Sequence, residues 1–101
     1  MEINVNEKLC EIAKSISEDV YADTWCGILI NGGKVKRCDF KHGTTAQNLA
    51  ACQKAIEFVK ATDGVEVIDD EYAHGTGFCV DGGDNLHKRF GFEWRYTESE
   101  K

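Results

Sequence analysis

The chain has no proline, no CxxC pair and one methionine in 101 residues. With no proline to fix φ, its turns fall to ten glycines and to Asn and Asp. The missing CxxC counts against a zinc site, whose ligands usually come from paired knuckles. No apolar run approaches the roughly 20 residues of a membrane-spanning helix. The N-terminal stretch MEINVNEKLCEI has no basic segment leading into an apolar one, the pattern of a secretory signal. A cytoplasmic protein is expected. The chain also lacks the basic balance of a nucleic-acid binder, with a net charge of −6.

Hydrophobic residues make up 42%, enough for one folded domain spanning residues 1–101 and too many for a disordered chain. The five cysteines, Cys10, Cys26, Cys38, Cys52 and Cys79, each sit inside an apolar pattern and are expected to be small, buried, reduced hydrophobes. Charge is unevenly spread. Residues 24–43 carry Lys34, Lys36, Arg37 and Lys41 against Asp39, whereas residues 65–85 carry Glu66, Asp69, Asp70, Glu71, Asp81 and Asp84 with no base. The acidic stretch repels phosphate and attracts a basic partner surface.

Two helices are expected. In the first, Val5, Leu9, Ile12, Ala13, Ile16 and Val20 fall on one face of a 3.6-residue period. Its cap is Asn4, with Glu7 completing a capping-box pattern, or Asn6. In the second, Thr44 and Gln47 form a capping box; Leu49, Cys52, Ile56 and Val59 make a stripe widened by Ala51, Ala55 and Phe58; Asp63 and Gly64 end it. Residues 25–30 and 34–40 read as a hairpin around Asn31-Gly32-Gly33. Val35 is out of phase with Cys38 and Phe40, and a bulge beside Gly33 would reconcile them. Strands follow at 65–68, 76–80 and 90–96. The last alternates Phe90, Phe92, Trp94 and Tyr96 with Gly91, Glu93, Arg95 and Thr97, the clearest period-two signal in the chain. The order α-β-β-α-β-β-β predicts an α+β fold, a mainly antiparallel sheet with two helices packed on one face.

The stretch Gly43-Thr44-Thr45-Ala46-Gln47, the alanine-rich helix after it, and Val65-Glu66-Val67-Ile68-Asp69-Asp70-Glu71-Tyr72 resemble the middle of a ribonuclease H-like core. Phe92-Glu93-Trp94-Arg95-Tyr96 is similar to a late strand of that fold. The resemblance implies Asp70 as the strand-end acid and Asp23 as the first-strand acid of a Mg²⁺-dependent nuclease. The family's helix glutamate has no counterpart, because Asn48 or Ala50 stands there, and its second major helix is missing.

Other chemistry is thinly represented. Cys38-x3-His42 and His74-x4-Cys79 have ligand-like spacings, but zinc needs several such groups converging, and no metal or other cofactor is expected. Gly75-Thr76-Gly77 and Gly82-Gly83 open no helix and read as turns, not phosphate cradles. The leading functional expectation is a non-enzymatic inhibitor of the immunity-protein or phage anti-CRISPR type. It would present Asp69, Asp70, Glu71, Asp81 and Asp84 to the basic, nucleic-acid-binding surface of a protein partner, without binding nucleic acid itself. The alternative is the ribonuclease H-like nuclease, and a homodimer through an exposed strand edge is a further expectation.

Overall fold

The computed structural model describes residues 4–28, 34–75, 77–81 and 85–97. Its elements run α1 (Val5–Ile16), β1 (Tyr21–Ile28), β2 (Lys34–Lys41), α2 (Thr45–Lys60), β3 (Val65–Asp69), β4 (Phe78–Asp81), β5 (Asn85–Lys88) and β6 (Gly91–Tyr96). The expected α+β class holds, with one strand more than the sequence pattern gave. β5 has the sequence NLHK, too short and too polar to show a period.

Both helices start where their caps predict. Asn4, not Asn6, caps α1, its side chain accepting a hydrogen bond from the Glu7 amide at 3.1 Å. Thr44 and Gln47 close a full capping box on α2: the Gln47 amide donates to Thr44 Oγ1 at 3.1 Å and the Thr44 amide donates to Gln47 Oε1 at 2.9 Å. Two otherwise orphaned donors are thereby satisfied. α2 ends at Lys60, and Gly64 takes a positive φ of 88° in the turn into β3.

Four strands form one antiparallel sheet in the order β1-β2-β6-β3, and β4 pairs with β5 in a separate hairpin. β2 and β3 each run antiparallel to β6 and so parallel to one another. α2 is their crossover, and β6, last in the chain, inserts between them as in a split β-α-β unit. Val5, Leu9 and Ala13 of α1 and Ala51, Cys52, Ala55 and Val59 of α2 close over Ala22, Cys38, Phe40, Val65, Phe92 and Trp94. Both helices thus cover one face, the face of the aromatic strand.

The hairpin ladder is unbroken from Tyr21↔Lys41 to Ile28↔Lys34. Two expectations change. β1 begins four residues earlier than predicted, at Tyr21, because pairing with β2 buries Ala22 in the core. Asp23 therefore lies within the strand. Val35 needs no bulge within this ladder: it is buried on the opposite side of the sheet, outside the cluster beneath the helices. The turn at 31–33 lies outside the described residues.

Trp94 is the largest fully buried side chain, yet its indole Nε1 finds no acceptor among the described residues. A buried donor left unmade costs about 1–3 kcal/mol. Trp94→Phe should therefore cost less than the ~3–5 kcal/mol of a large core truncation. The expected loss in a urea melt is below about 1.5 kcal/mol, since losing ring volume is offset by removing the unpaired N–H. Thr44→Ala should cost about 1 kcal/mol in the same measurement.

Candidate functional site: the open sheet face and its acidic connection

Side chains alternate across a strand, so the face turned away from the helices is fixed by the register. It carries Tyr21, Asp23 and Trp25 on β1; Val35, Arg37, Asp39 and Lys41 on β2; Gly91, Glu93 and Arg95 on β6; and Glu66 on β3. Its charges are paired across strands. Lys41 Nζ donates to Asp23 Oδ2 at 2.8 Å, Arg37 Nε lies 2.9 Å from Glu93 Oε2, and Arg95 Nε donates to Glu66 Oε1. The Arg37 guanidinium also lies over the Trp25 ring, 5.2 Å from its centroid.

The deepest pair is Asp39 with Arg89. Asp39 is 3% exposed and receives two hydrogen bonds, from Arg89 Nε at 3.1 Å and from Nη2 at 3.0 Å. Gly91 faces Asp39 across the ladder, and a Cβ there would collide with the Asp39 carboxylate. The guanidinium in turn stacks on Tyr72, 4.4 Å from the ring centroid. Backbone bonds tighten the same region: the amides of Gly91 and Gly75 donate to the Tyr72 carbonyl, and the Arg89 amide donates to the Gly77 carbonyl. Together these fasten the long β3–β6 connection to the end of the sheet.

That connection carries the acids singled out from the sequence. Asp69 ends β3, half-buried, and its Oδ1 accepts from the Glu71 amide at 2.8 Å. Asp70 and Glu71 are exposed in the following turn, closed by the Ala73 amide donating to the Asp70 carbonyl at 3.0 Å. Asp81 ends β4 and pairs in register with Asn85, and Asp84 lies outside the described residues. Asp69, Asp70 and Glu71 thus form one turn, with Asp81 further along the same connection.

Asp23 and Asp70 do not meet. β1 and β3 are opposite edges of the sheet, three strand spacings or about 14 Å apart. Asp23 is bonded to Lys41. Asn48 exchanges hydrogen bonds with the Gly43 backbone and fixes the β2–α2 turn. His42, with a φ of 73°, sets its ring against Tyr21. Among the described residues no group of three or more His, Cys, Asp or Glu could hold a metal ion.

The four described thiols divide in two, and the expected burial of Cys79 lies outside what the structure describes. Cys38 and Cys52 are buried, as expected, but Cys10 and Cys26 are exposed. Cys10 is one residue, about 100° around the helix, from buried Leu9. Cys26 lies on the helix side of β1, near Lys36, whose Nζ donates to its sulfur at 3.2 Å. Burial pushes the Cys38 thiol well above its ordinary range, and pushes Cys52 from 9.0 up to about 12.

Among the described residues, no helix is long and apolar enough to cross a membrane. Compared with protein-family models, curated proteins and solved structures, the chain matches none.

Gly91→Ala should expel Asp39 from Arg89 and cost about 3–5 kcal/mol, as breaking a buried pair does; chemical denaturation reads this directly. Cys38 and Cys52 stay protonated in the fold after their unfolded counterparts ionise. The Cys52 contribution is complete below about pH 9 and is lost as pH rises towards 12, and that of Cys38 changes in the same direction. Cys52→Ala should flatten the alkaline decline by about 1.4 kcal/mol per pH unit within that window, measured as urea midpoints at stepped pH.

Proposed function

We propose that the protein is a small acidic inhibitor, of the immunity-protein or anti-CRISPR type. It presents Asp69, Asp70, Glu71, Asp81 and Asp84 to a basic, nucleic-acid-binding groove of a partner protein. The observation that carries this reading is where the chain's cations are engaged. Arg37, Lys41, Arg89 and Arg95 each bond a carboxylate on or beside the open sheet face. Residues 65–85 hold six acids and no Lys or Arg; Glu66 among them is bonded to Arg95 on the sheet, which leaves five from Asp69 onward. Asp70 and Glu71 stand exposed there, on a turn shaped by hydrogen bonds and anchored through the Tyr72–Arg89–Asp39 stack. A fixed carboxylate array loses little entropy on docking, and its field steers a basic surface towards it.

The test begins with a pull-down from the native cell extract, followed by calorimetry on the captured protein. Asp70→Lys with Glu71→Lys should weaken binding roughly tenfold or more and flatten its salt dependence. Excess nucleic acid should displace the inhibitor. Affinity unchanged by the double reversal removes the proposal. Cleavage of an RNA–DNA hybrid with Mg²⁺, abolished by Asp70→Asn, would replace it with a nuclease.

A further inference from the structure

The two edges of the main sheet are built differently. β3 has five residues, carries Glu66 and Asp69, and is broken by a register shift between Val67 and Asp69. Charge, shortness and irregularity are the usual protections of an edge against further pairing. β1 lacks the last two. It is eight residues long and regular along its whole ladder, without lysine or proline, and its single charge, Asp23, is already bonded to Lys41. Among the described residues no strand pairs with its outer side. Tyr21 and Trp25, 49% and 38% exposed, stand four residues apart on one face of this edge.

We propose that β1 pairs antiparallel with β1 of a second copy, joining two sheets into one of eight strands with all four helices on the same side. In such a pair a two-fold axis perpendicular to the sheet sets one residue opposite itself, and the strand's own sequence selects that residue. Centring on Asp23 opposes two carboxylates, which is destabilising. Centring on Trp25 leaves Tyr21 beyond the overlap. Centring on Thr24 overlaps residues 21–27 and opposes Thr24 to Thr24, Ala22 to Cys26, Asp23 to Trp25 and Tyr21 to Gly27. No like charges meet, a Thr–Thr pair lies at the axis, and Tyr21 crosses a bare glycine, as aromatic residues do to shield one. The partner is therefore this chain itself.

Light scattering on size-exclusion fractions should give twice the 11.3 kDa chain mass. The dimer should tighten as salt rises, because two like-charged copies repel. Binding of a basic partner through residues 69–71 would respond in the opposite direction, so the two proposals fail separately. Trp25→Glu places carboxylates opposite Asp23 twice and should weaken the dimer roughly tenfold relative to Trp25→Lys, which places an opposite charge there. Within one chain the order is reversed, since a glutamate suits neighbouring Arg37 and a lysine does not; circular dichroism confirms that both variants fold. Thr24→Cys on a Cys10→Ser, Cys26→Ser background should cross-link chain to chain under diamide. A monomer at millimolar concentration, equal dimerisation of the Glu and Lys variants, or cross-linking through Trp25→Cys in place of Thr24→Cys would each overturn the proposal.

Discussion

One buried ion pair, Asp39 with Arg89, holds the arrangement of the β3–β6 connection. Its two residues are 50 positions apart, and the bond between them decides where the intervening chain returns to the sheet. A buried carboxylate is costly unless it is paired and hydrogen-bonded. Here both guanidinium bonds are made, the cation has the Tyr72 ring beneath it, and Gly91 supplies the space. Tyr72 thereby joins the acidic turn to the sheet, and Gly77, against which its ring lies, joins the β4–β5 hairpin to the same point. Replacing a whole buried pair by apolar residues of equal volume is often neutral, whereas removing one partner leaves an uncompensated buried charge.

What the sequence made legible was local. Helix caps act within four residues, and both helices start where theirs fall, α2 with a full capping box and α1 with the Asn4 side-chain bond. The alternation of residues 90–96 showed which face of β6 is buried, because a period of two has one solution once a face is apolar. Non-local features were hidden. Asp39, between Cys38 and Phe40, reads by alternation as solvent-facing, and nothing near it in the chain announces Arg89. Val35 looked like a register fault because burial was expected on one face only; the second face is partly covered. The acids of residues 69–71 were legible as a charge run, but the turn that presents them depends on one Asp69–Glu71 hydrogen bond.

The basic stretch of residues 34–41 also changes meaning in three dimensions. A strand distributes its side chains over two faces, so Lys36 meets Cys26 on one side while Arg37 and Lys41 meet Glu93 and Asp23 on the other. A cationic run along the sequence thus becomes a neutral checkerboard on the sheet. The same alternation gives the β1 edge its aromatic pair on a single face. Opposite properties at the two edges follow from strand length and composition alone, with no extra element required.

The insertion of β6 between β2 and β3 has a consequence for the order of events during synthesis. The central seam of the sheet is closed by residues 91–96, near the end of the chain. Until they emerge, β2 and β3 have no common neighbour, and Phe92 and Trp94 are missing from beneath the helices. The β1–β2 hairpin and both helices can form early from local contacts, but the core has to wait, because long-range pairing carries the larger loop-closure cost. The nascent chain therefore passes through a stage in which α1 and α2 expose the apolar faces they later bury.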